Sequence, residues 1–328
     1  KVTVIDLSND TVKAVTDLKA VRDTGFKAPG DAIRRIAPPA NITEESLTQI
    51  TGAYPNQLNG IGIKGDFAYI PNTGASPNGP VRFDVNTQAL LCAVNRRTNL
   101  DGDLTINMHQ AVRDQTATPR LFMTQPWAIA FKHRSDEGYF VSAASDVVGK
   151  IALNPQTGQV RVVTSADRTR VVQVATGKNP RGIVINASDT RAYVANYISR
   201  DVTVINLAND TVLATFRSAV TPIAGTFEDT IHIGKELYNS SVGTFDPVNP
   251  FDPPQRGRLS NNGWGSCASC HPNGGSDNVV WIFGAGPRRT VPQFHDFDPS
   301  NVFQQRPLNW SGIFDEVEDF ENNIRGAS

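Results

Sequence analysis

Val202-Thr203-Val204-Ile205-Asn206-Leu207-Ala208-Asn209-Asp210-Thr211-Val212 repeats the stretch Val2-Thr3-Val4-Ile5-Asp6-Leu7-Ser8-Asn9-Asp10-Thr11-Val12, with nine of eleven positions identical. Alternating β-branched residues mark a strand, Asn-Asp marks a turn, and Thr-Val opens the next strand, so the unit reads as a β-hairpin and not as a helix. Upstream of the second copy lie Asn179-Pro180-Arg181-Gly182-Ile183-Val184-Ile185, a turn at Asn186 to Asp189, and Ala192-Tyr193-Val194-Ala195-Asn196. Together these predict a unit of three strands with a fourth starting at Thr211.

Weaker copies occur at Gly60-Ile61-Gly62-Ile63, Phe67-Ala68-Tyr69-Ile70-Pro71-Asn72 and Val81-Arg82-Phe83-Asp84-Val85. A further set is Trp127-Ala128-Ile129-Ala130-Phe131, Tyr139-Phe140-Val141-Ser142 and Lys150-Ile151-Ala152-Leu153. Four short strands in about 40 to 45 residues is the period of a propeller blade. The motifs Asn179-Pro-Arg-Gly-Ile183, Tyr193-Val-Ala-Asn196 and Val202-Thr-Val-Ile-Asn206 resemble those of the YVTN family of β-propellers, strongly over 179–216 and more weakly upstream. Residues 17–57 and 95–125 are too long for connections between blades and read as insertions, the first containing a short capped helix at Thr43-Glu44-Glu45-Ser46-Leu47. Three blades and the tail of a fourth are countable, where closed propellers have about four to eight. The expectation is therefore a partial all-β propeller over residues 1–220 that does not close a ring, in a chain that is a fragment at both ends.

The 328 residues carry 31 Lys and Arg against 32 Asp and Glu, a net charge of -1 that offers no clustered cation for nucleic acid or an anionic membrane. No run of about 18 apolar residues exists to span a bilayer, and Val2 opens on a strand with no signal peptide, as in a mature or trimmed chain. Of the three cysteines, Cys92 lies in the apolar run Leu90-Leu91-Cys92-Ala93-Val94 and reads as a buried structural thiol.

The other two stand in Cys267-Ala268-Ser269-Cys270-His271, a C-x-x-C-H motif. Two thiols three residues apart can each form a thioether to a haem vinyl group, and the adjacent histidine is then delivered to the iron. A thioredoxin-like motif would need a βαβ context, and a zinc site a second Cys or His pair at matching spacing; neither is visible. The reading is one haem c held through Cys267 and Cys270 with His271 as proximal ligand, and so a redox protein of the periplasm or cell surface. His295, in Pro292-Gln293-Phe294-His295-Asp296, is the candidate sixth ligand, set against the plainer reading of a surface histidine hydrogen-bonded to its neighbour. Met108 and His109, in the second insertion, are weaker candidates. Trp264 and Trp281 read as pocket walls, and Glu316, Glu318, Asp319 and Glu321 as a solvated helix face.

The run from Leu259 to Pro272, with Gly284-Ala285-Gly286-Pro287-Arg288-Arg289-Thr290-Val291-Pro292 and Leu308-Asn309-Trp310-Ser311-Gly312, resembles the first haem half of the bacterial di-haem cytochrome c peroxidase superfamily. That resemblance implies a mainly α cytochrome c-like haem domain over residues 221–328, incomplete at its C-terminus, and a second haem in the full-length protein. It implies a relay role for Trp310 between the two haems and propionate pairing for Arg288 and Arg289. Where the family has a distal histidine this chain has Trp281, which speaks against peroxide chemistry at this haem. Electron transfer is the function so implied, with the propeller as docking or assembly scaffold and a redox protein or neighbouring haem subunit as partner. The alternatives are a peroxidase- or oxygenase-type haem enzyme, or a surface repeat protein with an accessory haem.

Overall fold

The computed structural model describes residues 1–29, 48–77, 86–242, 261–283, 286–294, 297–298 and 300–305. The hairpin β1 (Val2–Asp6) and β2 (Thr11–Thr16) comes first, with Ile5 opposite Val12 and a bulge between Val4 and Ile5. After a short pair, β3 (Lys27–Pro29) and β4 (Thr48–Ile50), the first blade forms from β5 (Tyr54–Leu58), β6 (Gly62–Lys64), β7 (Phe67–Ala75), β8 (Thr87–Asn95), β9 (Leu100–Asp101) and β10 (Ile106–Asn107), followed by α1 (His109–Asp114). The second blade joins β11 (Pro126–Phe131), β12 (Glu137–Ser142), β13 (Val147–Leu153), β14 (Val160–Val162) and β15 (Gln173–Ala175). The third is the meander β16 (Pro180–Ile185), β17 (Arg191–Asn196), β18 (Asp201–Asn206) and β19 (Thr211–Arg217).

All neighbouring strands within these blades are antiparallel. In β19 Val212 stands opposite Ile205, with a bulge between Val204 and Ile205, so the sequence repeat is a structural repeat down to its bulge. The turns close because Asp10, Asp189 and Asp210 adopt left-handed φ of 55–59°, a conformation Asp and Asn accept more readily than other side chains.

Successive blades stack face to face through apolar layers. Tyr69, Leu91 and Ala93 of the first meet Ile129, Phe140 and Ile151 of the second. Tyr139, Val141 and Val148 of the second meet Ile183, Val194 and Ile205 of the third. Each large side chain so buried contributes about 1.5–3 kcal/mol. The fit is close: a Cβ at Gly62 of the first blade would lie 2.7 Å from Ile129 Cγ2 of the second. Between the second and third blades a charged row reinforces the layer, Lys150 Nζ lying 2.9 Å from Glu137 Oε1 and 3.0 Å from Asp210 Oδ2. The β1–β2 hairpin lies on the far side of the first blade, Val2 against Ala68, Ile70 and Val94, and among the described residues pairs with no strand of the third. This is the blade architecture of a propeller, and among the described residues no pairing closes the ring. Cys92 is fully buried in β8, as its apolar run predicts. The strand expected at Val81–Val85 and the helix at Thr43–Leu47 lie outside the described residues.

Among the described residues the expected mainly α haem domain does not form. Beyond β19 one α-helix is described, α2 (Phe227–Asn239), capped by Thr226 Oγ1, which accepts from Asp229 N. From 261 to 305 the described residues form 3₁₀ turns at Asn261–Gly263, Cys267–Ser269 and Pro272–Gly274, and the hairpins β20 (Val280–Phe283) with β21 (Gly286–Arg289) and β22 (Phe297–Asp298) with β23 (Asn301–Gln305). Asn262, Asn273 and Asn278 have φ of 56°, 53° and 60°, and left-handed residues at such close spacing stop a helix before it can propagate. The described chain is accordingly mostly β. None of its helices is long and apolar enough to cross a membrane.

What anchors this turn-rich segment is Trp264. It is not a pocket wall but a core residue, its Nε1–H donating to Thr87 O (2.7 Å) and its ring packed on Phe26, Phe122 and His109 at centroid distances of 4.2–4.7 Å. Met108 and His109 are wholly buried in the same layer, which removes them as ligands to anything bound at the surface. Replacing Trp264 with Ala is expected to cost about 3–5 kcal/mol, read as a lower urea midpoint.

Burial pushes the His109 imidazole down to about 3 and the Asp146 carboxyl up to about 7. His109 stays neutral in the fold while the unfolded chain takes up a proton below pH 6.5, so its contribution is present above 6.5 and lost as pH falls toward 3. Asp146 acts oppositely: its contribution is present below about 4 and lost as pH rises through 7. Each is worth a few kcal/mol at ~1.4 kcal/mol per pKa unit, and between pH 4.5 and 6.5 the two slopes offset. Urea midpoints over that range should fall with pH in His109→Gln and rise with pH in Asp146→Asn; parallel profiles in the two variants would contradict the assignment.

Candidate functional site

The segment Ser266–His271 closes a single helical turn. Ser266 N–H donates to Ser269 Oγ (3.0 Å), Cys270 N–H to Cys267 O (3.3 Å) and His271 N–H to Cys267 O (2.9 Å). Residues three apart on such a turn are neighbours, so the two thiols share one side of the turn. They are free, not bridged. Burial pushes both thiols up, Cys270 the further with Asp277 adding to it, so both are held as neutral thiols and not as reactive thiolates.

His271 is oriented from behind. Its Nδ1 lies 2.8 Å from Val291 O; a carbonyl only accepts, so Nδ1 carries the proton and Nε2 presents a lone pair. Burial, the leading cause, holds the imidazole below its ordinary value, in the neutral form a metal needs. Tyr238 Oη sits 3.1 Å from His271 O and 2.6 Å from Gln293 Oε1, tying the turn to α2 and to the segment after β21. Among the described residues no three His, Cys, Asp or Glu side chains gather as a metal-holding group, so a zinc-type site is not formed there.

The propeller holds the turn from below. Gln57 Nε2–H donates to Ser269 O (2.5 Å) and Asn56 Nδ2–H to Asp277 O (3.0 Å). Gln57 has a φ of 44° at the bulge in β5, and a bulge re-aims side chains out of the alternation of a strand. Thr124 Oγ1 lies 2.8 Å from Gly263 O and 2.6 Å from Trp264 O, and Phe122 N–H donates to Asn262 O. Sequence reading missed Asn56, Gln57 and Thr124. The one hint was two amides following Pro55 inside a strand, where an apolar residue is the norm.

Trp281, expected at the distal position, sits buried in β20 with Nε1 2.9 Å from Thr290 Oγ1 and 3.1 Å from Asp277 Oδ2. Asp277 N–H in turn donates to Cys270 O (3.2 Å), and Thr290 precedes the Val291 that accepts from His271. Trp281 is thus brought to the motif through its partners. Arg288 stands opposite Trp281 in the β20–β21 hairpin, and Arg289 opposite Val280, where it bonds Asn278 Oδ1. His295 and Trp310 lie outside the described residues, as do Glu316 to Glu321. Beside the motif opens a cleft of about 430 Å³ lined by Arg181, Tyr197, Lys235, Tyr238, Asn239 and Gly274 among others. Arg181 is clamped between the rings of Trp127 (4.4 Å) and Tyr197 (4.3 Å). Phe227, Ile231 and Leu237 of α2 and Phe294 are exposed.

No protein-family model and no curated protein sequence matches the chain. Among solved structures it is similar to Kuenenia stuttgartiensis hydrazine synthase (17% identity, TM-score 0.30), covering 49% of this chain and 36% of that one. It is similar also to apo AztD of Citrobacter koseri (12%, TM-score 0.30, covering 57% and 41%) and to the β-propeller domain of the trilobed protease from Pyrococcus furiosus (11%, TM-score 0.29, covering 50% and 43%). The chain spans less than half the length of each.

Proposed function

We propose that this chain binds one c-type haem covalently through Cys267 and Cys270, with His271 Nε2 as the protein ligand to iron, and that it passes electrons. The observation that carries the reading is the pairing of a C-x-x-C-H turn with a histidine whose Nδ1–H is committed to Val291 O, leaving Nε2 for a metal. Neutral thiols on one side of the turn suit addition to two vinyl groups, and the exposed apolar side chains of α2 and Phe294 suit a large apolar ligand. Bound haem would supply one-electron redox chemistry. Arg181 and Lys235 in the adjoining cleft, with Arg288 and Arg289 on the hairpin, are the cations suited to propionate carboxylates.

Electron transfer is favoured over peroxide chemistry because a general base must accept a proton. The Trp281 indole N–H only donates, and it is engaged by Asp277 and Thr290. The hydrogen bonds from Gln57, Asn56 and Thr124 hold the motif on a rigid sheet, which keeps reorganisation small when charge moves. His295 is the proposed second axial ligand, Trp310 the proposed exit toward a second haem or a redox partner, and an oxidising compartment outside the cytoplasm the proposed location.

Chain produced with haem-attachment machinery should retain haem in denaturing mass spectrometry, and Cys267→Ala with Cys270→Ala should abolish that retention. Haem extracted into acidified organic solvent from the unsubstituted chain would overturn covalent attachment. Low-temperature EPR of the ferric protein should be dominated by a low-spin signal that His295→Ala converts to high-spin. A dominant high-spin signal that shifts on adding cyanide or peroxide would mean an open site and would sink the relay assignment.

A further inference from the structure

Where the second and third blades draw an ammonium out of water they set carboxylates against it: Lys132 pairs with Glu137, and Lys150 with both Glu137 and Asp210. Arg181 of β16 is held differently. The rings of Trp127 and Tyr197 cover its guanidinium at 4.4 and 4.3 Å, Nε–H donates to Asn179 Oδ1 (2.7 Å), and Nη2–H donates to Asn239 Oδ1 (3.3 Å). Both amides are buried, and their orientation is set from behind, Asn179 Nδ2–H donating to Ala143 O (3.0 Å) and Asn239 Nδ2–H to Lys235 O (2.9 Å). Amide oxygens fix the guanidinium in place but do not neutralise it.

Among the described residues no carboxylate pairs with Arg181, and both N–H bonds of Nη1 and the second of Nη2 have no acceptor there. Desolvation, the leading cause, holds the group below its ordinary value, the mark of a cation that an arriving anion would stabilise. The guanidinium lines the cleft of about 430 Å³ between the third blade and α2. A second cation shares the Tyr197 ring, Lys235 Nζ lying 5.5 Å from its centroid. Lys235 makes no ion pair among the described residues, while its neighbour Glu236 is turned to Lys178. Ile231 and Gly234 of α2 line the cleft as well, and a Cβ at Gly234 would meet nothing within 4 Å, so there is room beside the two cations.

We infer that this cleft is a carboxylate-binding site, in which Arg181 takes both oxygens, Lys235 supplies a second positive charge and Ile231 receives the short apolar body that carries the carboxylate. The rings on the two faces of the guanidinium leave only its edge, and the edge is the side that accepts a planar, two-oxygen anion through parallel N–H donors. Such a carboxylate has two sources, a propionate of the proposed haem or a free short-chain organic acid. The site itself does not rest on the haem reading, because its residues are placed without that group.

Saturation-transfer difference NMR on butyrate tests this with the full chain produced without haem. Butyrate should show saturable transfer at constant chloride concentration, and its uncharged analogue butyramide should show none. Arg181→Lys keeps the charge but loses the two-pronged edge, and should weaken butyrate binding about tenfold. Lys235→Gln removes an ammonium with no ion pair among the described residues, so it should remain folded by circular dichroism and weaken binding about threefold. Butyramide taken up as well as butyrate, or transfer unchanged in both variants, overturns the inference. So does a cleft that takes up no butyrate, as it would if a carboxylate of the chain's own filled it. Repeating the titration on haem-attached chain assigns the source: butyrate excluded there places a haem propionate in the cleft, and butyrate still bound there makes the ligand a free acid. A chain that retains no haem at all leaves the butyrate result standing, so failure of the haem reading and failure of this one are told apart.

Discussion

A β-sheet with two apolar faces cannot stand in water, and in this chain each blade is stable because another sheet lies against it. The layers at Tyr69, Leu91 and Phe140 and at Tyr139, Val148 and Ile205 do that work. Burial at about 25 cal/mol per Å² is the dominant favourable contribution to such stacking, and it is indifferent to direction. Direction comes from the polar locks, Tyr69 to Gly158 and Tyr139 to Asp210, which set how far one blade slides on the next. Sliding one blade along the next by the length of a residue would break each lock.

The C-x-x-C-H turn depends on the same stack, though it contributes little to it. A short turn rich in Ser, Gly and Asn has no apolar stripe of its own, so its geometry has to be imposed. Trp264 inserts into the layer between the first and second blades, and Gln57, Asn56 and Thr124 reach up to backbone carbonyls of the turn and its flanks. From the other side Val291 and Tyr238 fix His271. An imidazole fixed by Val291 and a backbone tied to Tyr238 of α2 leave His271 little freedom.

The difference from the expected α-helical surroundings has a local cause. Helices need several residues in succession with right-handed dihedrals and an apolar stripe at i, i+3 and i+4. Between 261 and 294 the chain offers Asn262, Asn273 and Asn278 in the left-handed region instead, and apolar residues such as Val280, Trp281 and Ile282 stand in a strand. The motif itself needs only one turn, and one turn is what forms.

The blades and the motif are legible in short-range pattern alone. Alternation in Val202–Ile205 and Tyr193–Asn196 specifies strands, Asn-Asp specifies where they turn, and the identity of the two hairpins carries through to the same bulge, because these are short-range properties of the backbone. The spacing of Cys267, Cys270 and His271 likewise states which groups share a turn. Tertiary structure alone decided the rest: that Trp264 is a core anchor and not a pocket wall, that His109 is buried, that Trp281 is tied to Asp277 and Thr290, and that Gln57 supports a turn far along the chain. These are contacts between residues separated by up to 212 positions. No local pattern encodes them, because they arise only when the stacked sheets bring distant segments together.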